Sequence, residues 1–554
     1  MKKSWLSILK AVALLVILNG IAAIFYTRID LTEDSRYTLS EASLHSVQQY
    51  DSPVIIDILL DDQLPPEFVK LKQETRQLLE EFASENNNIK FNFVNPLEAN
   101  SQIDDVITNL QGLGLTPTNV TVEQNGKVSQ EIIFPWAMVN YNNNTVKVPL
   151  LKNKLGATTE ERVNNSVQHL EYAFADAFSK LNIKEKKKIA ILKGNGELED
   201  IFMADFLTSI KDYYNLGAIT LDSVSKNPEK VLEQLKGFDL ALIAKPTERF
   251  TDEEKFILDQ YIVSGGKSLW LIDKVSMELD SLFNERGTAM AVAKDLNLQD
   301  FFFRFGVRLN PNLVNDLYFT QIVLASGEGN SSQYNPVPWF YNPMVFSKNN
   351  HPINNNIEAL RFQFTSSMDT LANAYRKQVL LTSSPLSKTE GVPRKISLDI
   401  INTPPDKELY KDGNNILGVL IQGAFTSTFT NRVKPIALKN IQDQGPENKM
   451  IVISDGDLIK NQIRNGRPLE LGYDKWTNNY FGNKEFLINC LNYLLDDTGL
   501  INIRNKKVAI PFLDEEKISE QKTKWQLINI GLPLVLTFIF GFLISSIRKK
   551  KYGV

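Results

Sequence analysis

Two apolar segments, residues 6–26 and 527–547, bracket this chain of 554 residues. Each has roughly 20 residues, the length a helix needs to cross the hydrocarbon core of a bilayer. Backbone polar groups inside lipid must be satisfied within the segment itself, which selects the helix. The whole chain is 43% hydrophobic and 10% aromatic, a composition that suits packed cores and not disorder. The pattern predicts a folded body pinned to one membrane face at both ends.

Charge sets the face. Lys2 and Lys3 precede the first segment, and Arg548, Lys549, Lys550 and Lys551 follow the second. The residues just past the first segment are mixed and acidic, with Arg28, Asp30, Glu33 and Asp34. Basic flanks favour the cytoplasmic side. The expectation is a bacterial inner-membrane protein with cytoplasmic termini and a periplasmic body. A cleavable signal peptide is the rival reading of the first segment, since Gly20-Ile21-Ala22 is a weak cleavage pattern. Lys10 near the cytoplasmic end can snorkel, and Pro533 is tolerated in a membrane helix. Small residues at Gly20, Ala22, Ala23, Gly531 and Gly541 offer close packing to a neighbouring membrane helix.

The chain is too long for one core. A net charge of −4 with no extended basic patch excludes nucleic-acid binding as a main role. The divisions expected are an anchor (1–27), a first periplasmic α/β domain (28–183), a second (184–499) with a loop-rich insertion at 280–375, a charged stalk (500–524), a transmembrane helix (525–547) and a basic tail (548–554). Cys490 is the one cysteine, so no disulfide can staple the body.

Residues 53–60 read as an apolar strand, and 67–84 as a helix with Phe68, Leu71, Leu78, Leu79 and Phe82 on one side. A strand at 89–94 completes a β-α-β unit with parallel strands and a right-handed crossover. Antiparallel strands over 118–150 and a helix over 160–180 close the first domain. Beyond it, apolar runs at 189–192, 240–243 and 268–272 alternate with helices. One helix opens on a capping box, Thr251 to Glu254, and stops at Gly265-Gly266. This alternation predicts a doubly wound α/β sheet. Further strands are expected at 379–381, 417–422 and 450–454, with Pro- and Asn-rich loops from 306 to 360 and an exit helix over 484–495.

Gly194-Asn195-Gly196-Glu197 follows a strand and opens a helix, where backbone N–H groups can hold an anion. A tight turn that needs glycine for steric reasons is the alternative, and neither the dinucleotide nor the Walker fingerprint is present. Asp455 and Asp457, with Asp273, lie at strand C-terminal ends, where α/β sheets bind ligands. Together with Glu197 they could form an acidic metal site or simply cap turns. Cys490 sits in an apolar helix and reads as buried and inert. His45, His169 and His351 show no ligand spacing. Phe301-Phe302-Phe303 reads as core, with a partner surface as the alternative. No residue is expected to be catalytic, and no metal or cofactor is expected. A solute- or glycan-binding module in the crevice near Gly194, Asp273 and Asp455 is one functional alternative. A membrane-tethered hydrolase using Glu197 and Asp455 as acid and base is another.

Residues 28–40, Arg-Ile-Asp-Leu-Thr-Glu-Asp-Ser-Arg-Tyr-Thr-Leu-Ser, resemble the entry segment of the GldG family, gliding-motility-associated ABC-transporter auxiliary proteins. The Gly194–Glu197 turn is similar to that family's Gly-His-Gly-Glu, with Asn195 in place of histidine. Residues 246–273 and 451–457, and the exit near Ile503-Arg504, also resemble it. The resemblance implies a thioredoxin-like first domain, here lacking any Cys-x-x-Cys, and a glutamine-amidotransferase-like second domain without demonstrated catalytic residues. It implies as partners an ABC permease subunit and a cytoplasmic ATPase subunit, serving gliding motility and associated secretion. The missing histidine argues further against catalysis. With no ATPase motif in this chain, energy would come from the partner.

Overall fold

The computed structural model describes residues 10–20, 38–60, 64–97, 103–124, 127–152, 155–183, 185–211, 213–326, 333–347, 349–496, 498–506 and 515–553. The chain divides into two compact units, Met1–Lys507 and Val508–Val554. It is a mixed α/β protein.

The first part of the larger unit is built on α1 (Glu41–Gln48), β1 (Val54–Ile58), α2 (Pro66–Glu85), β2 (Ile89–Phe93), β3 (Trp136–Tyr141), β4 (Asn144–Pro149) and α3 (Thr159–Leu181). The sheet order is β2-β1-β3-β4, with β1 and β2 parallel and the other pairs antiparallel. Val54, Ile56 and Ile58 of β1 alternate inward with the period of two that a one-sided sheet requires. Phe68, Leu71, Leu78, Leu79 and Phe82 of α2 are buried. A full capping box between Thr158 and Glu161 starts α3. The Phe178 ring of α3 meets Phe82 edge-to-face at 5.1 Å. A separate hairpin pairs Thr118–Gln124 with Lys127–Ile133.

The second part holds β5 (Lys188–Lys193), α4 (Asp200–Ile210), β6 (Asn215–Thr220), α5 (Pro228–Lys236), β7 (Leu240–Ala244), α6 (Asp252–Val263), β8 (Lys267–Leu271), α7 (Gln299–Phe305), β9 (Val307–Leu309), β10 (Met368–Thr370), β11 (Arg376–Thr382), β12 (Ile416–Thr426), β13 (Gln444–Ile453) and α8 (Asn483–Leu495). They form one sheet in the order β9-β10-β12-β13-β8-β7-β5-β6, with β11 pairing β12. β6, β5, β7, β8 and β13 are parallel, and β12 runs antiparallel to β13. Every residue of β7, Leu-Ala-Leu-Ile-Ala, is buried. Such an unbroken apolar run is what a sheet covered on both faces demands. One face carries α6 and α7, with Phe256, Trp270, Phe301 and Phe302 in its core. The other carries α4 and α8, with Phe206, Phe486 and Cys490. In the Phe301–Phe303 run the first two rings are core, whereas Phe303 is exposed.

Residues 306–360, expected as loops, contain strands at Asn312–Asp316, Ile322–Ser326 and Gln333–Val337. The first pairs with Ser387–Gly391, a partner far along the chain. Their Asn- and Pro-rich sequence hides the pattern, and a satellite core of Leu313, Trp339, Tyr341 and Ile396 holds them. Residues Leu500–Asn505, expected as the start of the charged stalk, instead form a 3-10 turn packed into the body, with Ile501, Ile503 and Arg504 buried.

In the smaller unit, α9 (Glu515–Tyr552) contains the segment Gln521–Lys551, long and apolar enough to cross a membrane, with mean hydropathy 2.4 over its most apolar 18 residues. The described part of the first apolar segment is a shorter helix, Lys10–Gly20. Lys2, Lys3, Ala22, Ala23, Arg28, Asp30, Glu33 and Asp34 lie outside the described residues.

Candidate functional site

Counted along the chain, the five parallel strands lie in the order 2-1-3-4-5, so connections reverse direction between β5 and β7. In open α/β sheets the crevice beyond the strand ends at such a switch point is where ligands bind. The Gly194–Glu197 turn leaves β5 there. Gly194 and Gly196 have φ of 112° and 69°. A Cβ on Gly196 would lie 2.1 Å from Thr247 Oγ1, and one on Gly194 2.7 Å from Asp222 Oδ1. The Asn195 carbonyl accepts N–H bonds from Thr247 at 3.0 Å and Glu248 at 2.9 Å. The Asn195 N–H donates to the Glu197 carboxylate at 2.8 Å, and its side-chain amide to Glu254 at 3.2 Å. The turn is thus stitched to the loop after β7 and to the cap of α6. Among the described residues, Asn195 Oδ1 and Glu197 Oε1 are buried without a hydrogen-bond partner. Burial raises the Glu197 carboxyl above its ordinary range.

The loops after β7, β8 and β13 converge on Lys245. Its backbone is left-handed, φ 53°. Its ammonium lies 2.5 Å from Glu278, 2.6 Å from Asp457 and 3.6 Å from Asp273. Lys460 stands 3.3 Å from Asp457 and 3.4 Å from Glu278. Asp273 accepts the Gly456 N–H at 2.6 Å. Asp455 accepts the N–H of Gln363 at 2.6 Å and of Asp457 at 2.7 Å. A Cβ on Gly456 would sit 2.5 Å from the Lys245 side chain, so the absence of one lets the strands' ends close together.

These groups are electrostatically matched. Burial alone would lower the Lys245 pKa, but Asp457, Asp273 and Glu278 around it raise it above its ordinary value. Burial works against the Asp457 charge, yet Lys245 and Lys460 hold its carboxyl below the usual range. Asp455 is pushed well above that range by burial and then by Asp457 and Asp273. Carboxylate oxygens of Asp273, Glu278 and Asp457 all lie within 4.8 Å of one another, close enough to chelate a cation. The Lys245 ammonium already stands between them, and a metal would have to displace it.

The structure therefore brings Asp273, Asp455 and Asp457 together and places Gly194, Asn195, Gly196 and Glu197 in a neighbouring turn with its own partners. Among the described residues, no hydrogen bond or ion pair joins Glu197 to Asp455. Sequence reasoning missed Lys245, Glu278 and Lys460. Lys245 follows a strand and precedes a proline, a pattern that marks a strand end but not its charge partners. Cys490 is fully buried in α8, where burial pushes its thiol well above the ordinary value.

Beside this cluster opens a cavity of about 390 Å³, bordered among others by Asp457, Lys460, Arg361, Asp474, Phe283 and Trp476. Its volume lies in the range of small-ligand pockets.

A family model described as an ABC-type uncharacterized transport system matches residues 186–490, more than half of the chain. A second, Domain of unknown function (DUF7088), matches residues 33–140. No curated protein matches. Among solved structures, the chain is similar to one titled "mmIFT52 N-terminal domain", at 12% identity, over 56% of this chain and 98% of that one. The TM-score is 0.32, too low to bear on fold or function.

Proposed function

Because the chain belongs to the ABC-type uncharacterized transport system family, we propose that it is the auxiliary, non-catalytic membrane subunit of an ABC transporter, working with a permease subunit and a cytoplasmic ATPase subunit. The observation that carries this reading is the family match over the central α/β body, in a chain whose Gln521–Lys551 helix can cross a membrane. The family supports a non-enzymatic role, association with transporter components and a place in transport. The finer reading is an inner-membrane protein with both termini cytoplasmic and both apolar segments inserted, supporting gliding motility and associated secretion. Its first sheet would be thioredoxin-like and its second amidotransferase-like. The residue resemblances at 28–40 and 194–197 support that assignment. Charge balance around Lys245 supports a scaffold in preference to an acid/base site, since Glu197 and Asp455 sit in separate hydrogen-bond systems.

Gly541 and Gly531 mark the surface by which the C-terminal helix would meet the permease. A Cβ at Gly541 would meet nothing within 4 Å, and one at Gly531 only Leu527 at 3.9 Å. Such bare backbone permits close helix approach. A photoreactive amino acid at position 541, irradiated in native membranes, should capture a polytopic membrane protein. Capture of lipid alone would contradict the proposed contact.

A further inference from the structure

The cavity beside Lys460 has features that the transporter reading does not use. Its buried charges are paired. Arg361 lies 3.4 Å from Asp474, and Lys460 stands between Asp457 and Glu278. The lining carries Glu278, Asp280, Asp457 and Asp474 against Arg361, Lys460 and Lys475, and Lys245 behind it pairs with Glu278 and Asp457, so no large excess of one sign meets a ligand. What it presents to a ligand is an array of oriented acceptors and donors. The Arg361 Nε is buried and has no hydrogen-bond partner among the described residues. Burial lowers the Arg361 pKa, with Asp474 and Asp457 opposing the shift. Gln363, Asn461 and Gln462 add amides to the lining.

The rim is aromatic and open. Trp476 is 50% exposed and Phe283 53% exposed, and both border the cavity. Tyr334, 60% exposed, stacks on Trp476 with centroids 5.4 Å apart and planes at 27°. Large rings left in water around a polar pocket have no role in the core and are costly to expose. Flat apolar faces beside planar hydrogen-bonding groups match one ligand chemistry well: the C–H face of a pyranose lies on the ring while its hydroxyls meet carboxylates, amides and guanidinium.

We propose that this cavity is a binding site for a short neutral oligosaccharide, with Trp476 as the stacking platform and Arg361, Asp474 and Gln363 as the hydroxyl-binding groups. The proposal stands apart from the transporter reading and would survive its failure. The proposal is of binding alone. The body would grip an envelope or extracellular glycan without changing it.

Full-length protein in detergent can be titrated calorimetrically with neutral gluco-, manno- and chito-oligosaccharides, with acidic uronate oligomers and an acidic peptide as comparisons. At least one neutral series should bind, with affinity rising with length until the cavity is filled. Trp476→Ala, an exposed position whose loss leaves the core intact, should weaken it about tenfold. Phe283→Ala serves as a second variant should Trp476→Ala disturb its loop. Absence of binding by all neutral series at millimolar concentration would overturn the proposal. So would binding confined to the acidic ligands, or neutral-sugar binding that neither variant alters.

Discussion

The Lys506 ammonium lies 2.6 Å from the Glu171 carboxylate, and the same ammonium donates to the Thr38 carbonyl at 2.7 Å. Glu171 also accepts the Ser40 N–H and the Ser43 hydroxyl, each at 2.8 Å. The first and last residues of the described body are thereby tied at one buried carboxylate. The described body thus begins and ends at the same place.

Removing this tie should loosen the entry segment. Lys506→Met leaves Glu171, 6% exposed, without its cation, at a cost of about 1–3 kcal/mol. Hydrogen exchange of residues 38–48 should accelerate while β7 and β8 stay protected. Unchanged exchange across α1 would show that the contact holds nothing.

Lys245 is the keystone of the strand-end cluster. Lys245→Met takes the central cation from buried Asp273 and Asp457, leaving them the more distant Lys294 at 3.8 Å and Lys460 at 3.3 Å, and breaking such a buried pair costs about 3–5 kcal/mol. Thermal unfolding should shift down sharply, and the double variant Lys245→Met/Asp457→Leu should recover part of the loss. A stable single variant would mean that the acids bind another cation in its place.

Gly196→Ala tests whether the turn after β5 is sterically determined. The left-handed backbone costs a non-glycine residue about 1–2 kcal/mol, and the new Cβ would collide with Thr247 Oγ1. Adding Thr247→Ala should relieve the collision but not the backbone strain. Measured by chemical denaturation, a neutral Gly196→Ala would contradict this account of the turn.

Burial lowers the His351 pKa to about 4, with Arg376 and Lys449 nearby opposing its charge further. Its ordinary value is 6.5, so as pH falls from about 6.5 to about 4 the unfolded chain takes up this proton first. Stability should therefore be lost through that window. His351→Gln should flatten the dependence relative to wild type in melting curves recorded at stepped pH, and identical slopes would refute it.

How far the residues alone reveal this molecule differs by region. The alternating apolar runs of β5, β7 and β8, with the Thr251 capping box between, predict parallel strands and a helix that the structure contains. Local period and capping chemistry are written into neighbouring residues, so they can be read. The strand at Asn312–Asp316 cannot, because its partner lies at Ser387–Gly391 and its sequence is that of a loop. The site behaves likewise. Asp273, Asp455 and Asp457 sit at strand ends that topology brings together, and this much follows from sheet construction. Their countercharges Lys245 and Lys460, and the opposing Glu278, come from separate loops, and only the folded geometry shows that an ammonium occupies the centre of the acids. The Arg361–Asp474 pair and the Trp476 rim depend on two-residue strands and the turns beside them, too short to show a periodic pattern.

The most direct test of the central claim is affinity purification of the tagged full-length protein from native membranes in mild detergent, with the recovered proteins identified by mass spectrometry. The account predicts recovery of a permease and an ATPase in a fixed ratio to this chain. Recovery of the chain alone, across several detergents, would contradict it.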